Sequence, residues 1–100
     1  MAVAVCLNRI SMVIWKATLA VADTQKISVP QGARFLCARE QQQDICVWFA
    51  CDPTQPSEQR TLLVLGTGHA TRDLNGCSYI GTASLLRGGL IFHVFEKVEP

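Results

Sequence analysis

The sequence predicts an all-β protein, a small antiparallel sandwich or open barrel of about seven strands. Short runs rich in β-branched and aromatic residues recur every ten or so positions, with turn residues between them. Helical periodicity is weak throughout. A chain of 100 residues that is 49% apolar and 17% charged holds one domain with enough apolar surface for a core.

The first strand spans 13–21 (VIWKATLAV), with Trp15, Ala17, Leu19 and Val21 on one face. Ala22-Asp23-Thr24 turns the chain into a short strand, 25–29 (QKISV). Pro30-Gln31-Gly32 ends that strand, because Pro30 fixes φ and Gly32 accepts a positive one. Segments 33–39 (ARFLCAR) and 44–51 (DICVWFAC) form a hairpin whose loop is Glu40-Gln41-Gln42-Gln43. In 44–51, Ile45, Val47, Phe49 and Cys51 face one way and Cys46, Trp48 and Ala50 the other. Both faces are apolar, so this strand is central, covered on both sides by core or by a neighbouring subunit.

The stretch 52–59 (DPTQPSEQ) reads as a polar loop with room for one helical turn at 56–59. Strand 60–65 (RTLLVL) is again apolar on both faces. Gly66-Thr67-Gly68 and Asp73-Leu74-Asn75-Gly76 lead into 77–85 (CSYIGTASL), where Gly81 marks a bulge or a close backbone approach. Arg87-Gly88-Gly89 turns the chain into 90–96 (LIFHVFE). Hairpin connections predict a mostly antiparallel meander.

At the N-terminus, the apolar run 1–7 has no basic region ahead of it, and Arg9 cuts it off before it reaches a useful length. It therefore reads neither as a signal peptide nor as a membrane span. Met12 is an alternative start. Residues 1–11 are then an extension, loosely attached or adding an edge strand, to a single β domain over 12–100.

Nine basic and eight acidic residues give a net charge of +1, and they are scattered singly. No basic patch is visible, so nucleic-acid binding is not expected, and neither is a membrane location. The five cysteines, Cys6, Cys37, Cys46, Cys51 and Cys77, form no CxxC pair and sit inside apolar runs. That pattern fits reduced structural thiols in a reducing cytoplasm rather than a zinc site, and no metal or cofactor is expected.

The stretch LLVLGTGHATRD at 62–73 runs a strand into a glycine-bracketed turn. It lacks the lysine of a phosphate loop, and Thr71 stands where a dinucleotide fold places its third glycine. Two readings remain. The turn is a sheet corner that uses glycine for its backbone angles, or the amides of Gly66, Thr67 and Gly68 form an anion-binding nest. In the second, Thr67, His69 and Arg72 supply side-chain donors. His93 shares a strand face with Ile91 and Phe95 and reads as a hydrogen-bonded core or interface residue, whereas His69 in a loop is the better functional candidate. No nucleophile elbow appears, and no carboxylate spacing singles out an acid–base pair, so catalysis is not expected. Trp15, Trp48 and Tyr79 with Arg34 and Arg60 are candidates to line a pocket where a base stacks and phosphates are paired. The alternative makes Trp15 and Trp48 core or dimer-interface side chains.

Five stretches occur in a consistent order: IWKATLAVADTQKISVPQGARFL at 14–36, VWFACDP at 47–53, RTLLVLGTGH at 60–69, YIGT at 79–82 and GGLIFHVFE at 88–96. On these the chain resembles a family of short tailed-bacteriophage and prophage proteins of unassigned function, from about Met12 onward. The resemblance carries no catalytic residues. It implies a phage-encoded accessory protein in the host bacterial cytoplasm. The expectation is non-enzymatic action by binding, most concretely anti-defence: inhibiting a host defence protein or sequestering a small nucleotide signal. A virion structural or assembly adaptor protein is the alternative, and a small nucleotide hydrolase the next. Two strands apolar on both faces, together with sparse charge, also predict a homo-oligomer.

Overall fold

Alternating apolar side chains build seven strands in a computed structural model that describes residues 11–71 and 73–98. They are β1 (Val13–Leu19), β2 (Thr24–Pro30), β3 (Arg34–Gln41), β4 (Asp44–Cys51), β5 (Ser57–Gly66), β6 (Cys77–Leu85) and β7 (Leu90–Lys97). The expected N-terminal extension lies, apart from Ser11, outside the described residues. No helix among the described residues is long and apolar enough to cross a membrane.

The strands form two antiparallel sheets, β1-β4-β3 and β2-β5-β7-β6, which do not close into a barrel. The expected meander is not what forms. Only β3–β4 and β6–β7 are neighbours in both sequence and space, and the chain switches sheets after β1, β2 and β4. Each strand needs an apolar layer opposite its inner face, and switching sheets supplies two facing layers where a meander would leave one. β5 begins at Ser57, three positions earlier than its apolar run, because Ser57, Glu58 and Gln59 pair with Pro30, Val29 and Ser28 of β2. No helical turn forms there.

The core lies between the sheets. Leu19, Ile45 and Val47 of one meet Leu62, Val64, Phe92 and Val94 of the other. At one end Val29, Ala33, Phe49 and Cys51 form a second cluster. The two strands apolar on both faces, β4 and β5, are interior strands of their sheets.

Each sheet carries one bulge. The register slips between Phe35 and Cys37 in β3, and between Tyr79 and Gly81 in β6, leaving Leu36 and Ile80 as the extra residues. A bulge reverses the alternation beyond it, so residues an odd number apart come to share a face. β3 and β6 also pack on each other, with Gly81 directly against the Ala38 backbone. Both expectations for Gly81, bulge and close approach, hold.

Candidate functional site

On the outer face of β2-β5-β7-β6, away from the core, Leu65 of β5 lies opposite His93 of β7, and Leu63 opposite Phe95. The segment after β5 crosses this face. Ala70 and Thr71 lie beside Leu65 and Thr24, and Thr71 and Leu74 share a pocket with His93 and Phe95. Leu63, which alternates away from the core, is completely buried on this outer side.

The pocket between loop and sheet measures about 300 Å³. Leu65, Phe95 and Leu74 supply its apolar surface, and Thr67, His69, Thr71 and His93 its polar groups. The Tyr79 ring meets Phe95 edge-on at 5.5 Å. Along this face runs a series of hydrogen bonds. Thr67 Oγ1 is 2.6 Å from His93 Nε2, Thr82 Oγ1 is 3.2 Å from His93 Nδ1, and Tyr79 Oη is 2.5 Å from Thr82 Oγ1. A neutral imidazole donates from one nitrogen and accepts at the other, so the series has two consistent directions. In one, Tyr79 donates to Thr82, Thr82 to Nδ1, and Nε2–H to Thr67, leaving the Thr67 hydroxyl proton for a ligand. In the other every donor reverses and the Tyr79 proton is left.

The β6 bulge makes this series possible. Tyr79 and Thr82 are three apart and would occupy opposite faces of a regular strand. With Ile80 extra, Tyr79 lies opposite Phe95 and Thr82 opposite His93, both facing outward.

The glycine turn is built from bonds within the fold. Thr67 N–H donates to Ile91 O (3.0 Å), His69 N–H donates to Gly66 O (3.3 Å), and Gly68 takes φ +86°. A nest needs successive free amides; of the three expected here the central one, Thr67, is engaged, and so is His69 beyond Gly68, so no run of free amides is left to cradle an anion. The His69 ring folds back over Gly66, where an added Cβ would stand 2.9 Å from Nδ1.

Of the sequence candidates, Gly66, Thr67, Gly68 and His69 meet at this pocket, and Arg72 lies outside the described residues. The remaining four are not gathered into a pocket. Trp48 and Arg34 lie on the outer face of the other sheet. Trp15, on edge strand β1, lies opposite Phe49 and is 45% exposed. Arg60 lies over the Phe35 ring at 5.1 Å and pairs with both Glu58 (2.9 Å) and Glu96. Hydrogen bonding to Glu96 raises its pKa further, against the opposing effect of partial burial. Two carboxylates neutralise this cation, so it does not offer a phosphate site. Thr82 joins the series only because the bulge aligns it with His93, which strand alternation in the sequence does not encode. Among the described residues no group of three or more His, Cys, Asp or Glu side chains is placed to hold a metal ion.

Fold and site together define a two-sheet β-sandwich with an open, loop-flanked pocket of aromatic, imidazole and hydroxyl groups on one outer face. The chain belongs to a family described as a domain of unknown function (DUF7352), which matches residues 11–100. No curated protein and no solved structure matches it.

Proposed function

We propose that the protein is a phage-encoded accessory protein that acts in the host bacterial cytoplasm by binding, without catalysis. Its ligand is a small nucleotide signal whose base enters the open pocket between Thr67, His69 and Thr71 and the sheet residues Leu65, His93 and Phe95. The reading rests on one observation, the Thr67–His93–Thr82–Tyr79 series beside the apolar surface of Leu65 and Phe95. A planar heterocycle needs apolar contact on its faces and donors or acceptors at its edge. A reversible hydrogen-bond series supplies either. A pocket of about 300 Å³ suits a base or nucleoside and leaves phosphates at the rim, near His69. Withdrawing such a signal from a host pathway is an anti-defence role. The phage assignment draws on the sequence resemblance.

The test is calorimetry with a panel of cyclic and ADP-ribose-type nucleotides. One-site binding is expected, weakened by about tenfold in His93→Gln, the loss of one well-placed hydrogen bond. Absence of binding across the panel, with His69→Ala and Arg72→Ala equally silent in phage infection assays, overturns the reading. Turnover in place of stoichiometric binding identifies a small nucleotide hydrolase.

A second reading, self-association as a virion or assembly adaptor protein, is favoured by the edges. Among the described residues β1, β3, β2 and β6 are the edge strands of the two sheets, and Ile14 and Trp15 of β1 are exposed, as are Met12 and Val21 just beyond its ends. An apolar open edge invites strand pairing with a second copy or with a host defence protein. Light scattering reports the oligomer, and mass spectrometry of purified virions at fixed copy number reports the structural role.

A further inference from the structure

The outer face of β1-β4-β3 is a grid set by strand register. Its rows read Ile14–Ala50–Arg34, Lys16–Trp48–Cys37 and Thr18–Cys46–Arg39. Half-buried Trp48 occupies the centre, with exposed Arg34, Lys16 and Arg39 around it and no carboxylate in the three rows. The Arg39 guanidinium lies 5.8 Å from the Trp48 ring centroid. The Lys16 ammonium donates to Gln41 Oε1, and Asp44 enters only in the following row. The β3 bulge creates this arrangement. Arg34 and Arg39 are five apart and would face opposite ways in a regular strand, but Leu36 as the extra residue brings both outward. Cations scattered in the sequence are thereby collected on one sheet face around one aromatic ring.

We infer that this face binds single-stranded nucleic acid, one base stacking on Trp48 and Arg39 while backbone phosphates engage Arg34, Lys16 and Arg39. An uncovered sheet face with a central aromatic ring and flanking cations matches the stacking platform and positive groove that single strands require. The cations attract any polyanion, but the ring selects one with unpaired bases. A duplex hides its base faces, and an acidic peptide has none. The site lies across the sandwich from the pocket beside His93, so it stands or falls independently of the proposed nucleotide site.

Fluorescence anisotropy with labelled oligo-dT and oligo-U, a duplex of equal length and polyglutamate tests the inference. The single strands are expected to bind at low salt, ahead of duplex and polyglutamate, with a log–log salt slope of about −2 for three phosphate contacts. In a Trp15→Phe background, binding quenches the remaining tryptophan emission. Arg34→Gln and Arg39→Gln, both at exposed positions, each flatten the slope by about 0.7. Trp48→Ala weakens binding at least about fivefold, with Trp48→Phe partly restoring it and circular dichroism reporting the fold of each. The inference is overturned if the single strands do not bind at low salt, if polyglutamate binds equally well, or if the two arginine variants bind as the parent does.

Discussion

Gly81 lies against the backbone of Ala38 so closely that a Cβ at position 81 would stand 2.6 Å from Ala38 N and 2.7 Å from Ala38 O. The neighbour is backbone rather than a flexible side chain, so it cannot swing aside. This contact is where β6 meets β3 and joins the two sheets. Gly81→Ala must push the sheets apart, and a loss of about 2–3 kcal/mol is expected. Urea unfolding reads it as a lower midpoint at an unchanged slope. Because Thr82 follows Gly81 directly, the His93 ring resonances are expected to shift in the folded variant.

Arg60 sits between Glu58 and Glu96, with side chains 20% (Arg60), 34% and 12% exposed. Removing the cation leaves two carboxylates facing each other at the end of the core. Arg60→Met is therefore expected to cost about 2 kcal/mol, less than a fully buried pair because water still reaches Glu58. Arg60→Met combined with Glu96→Leu is expected to recover most of that loss, since an apolar pair needs no counter-charge. A double-mutant cycle measures the coupling. A double variant as unstable as the sum of both single changes contradicts this account.

The strands were legible because burial imprints alternation directly. Ile45, Val47 and Phe49 against Cys46, Trp48 and Ala50 mark β4 as interior, and Leu62 to Leu65 do the same for β5. Gly81 was legible because glycine inside an apolar strand needs a reason, and the Ala38 backbone is that reason. The pairing of β1 with β4 and β2 with β5 was not, since it depends on contacts distant in sequence that local pattern does not encode. The sites were half legible. Gly66 to His69 announced a loop of interest, and His93 a hydrogen-bonded strand residue. Alternation, however, puts Tyr79 opposite in face to Thr82, and Arg34 opposite to Arg39. Each pair is united by a single extra residue, Ile80 or Leu36, and neither residue type advertises a bulge.

The β3–β4 hairpin turns on two residues, Gln42 and Gln43, with φ of 52° and 68° between the paired Gln41 and Asp44. Two consecutive positive φ values define the turn that Asn-Gly adopts readily and that longer side chains resist. The Gln43 N–H donates to Glu40 Oε2 at 2.7 Å, which helps hold the strained backbone. Replacing Gln42-Gln43 by Asn-Gly keeps that amide and is expected to stabilise the protein by about 1 kcal/mol. Gln43 Oε1 also accepts from Leu86 N–H at 3.2 Å, so Gln42→Asn alone is the cleaner first measurement.

Cys46 and Cys51 are buried, whereas Cys37 and Cys77 are partly exposed. Burial first, and the Asp52 charge second, raise the Cys51 pKa and keep that thiol protonated. Alkylation of the native protein at pH 8 is expected to label Cys37 and Cys77 well before Cys46 and Cys51, as read by peptide mass spectrometry. Equal labelling would show that the sandwich opens on the timescale of the reaction.

Asp52, buried just after β4, ties down the 52–55 turn. Its Oδ1 accepts from Thr54 N–H at 3.0 Å and from Thr54 Oγ1 at 2.7 Å, and its Oδ2 accepts from Gln55 Nε2 at 3.4 Å. These bonds, the Thr54 hydroxyl foremost, hold its pKa below the usual aspartate value, and Glu58 is lowered likewise by the Gly32 amide and then Arg60. A carboxylate with a lowered folded pKa releases its proton on folding. Its contribution is therefore complete above the unfolded value, near ~4, and is lost as pH falls through the folded one. Stability is expected to decline from about pH 5 downward. Asp52→Asn is expected to be less stable than the parent at pH 7 and to converge with it as pH falls below ~4, because protonation removes the same charge. Urea midpoints for both proteins from pH 7 to pH 3 measure the convergence, and a constant gap across that range would mean that the Asp52 charge does not stabilise the fold.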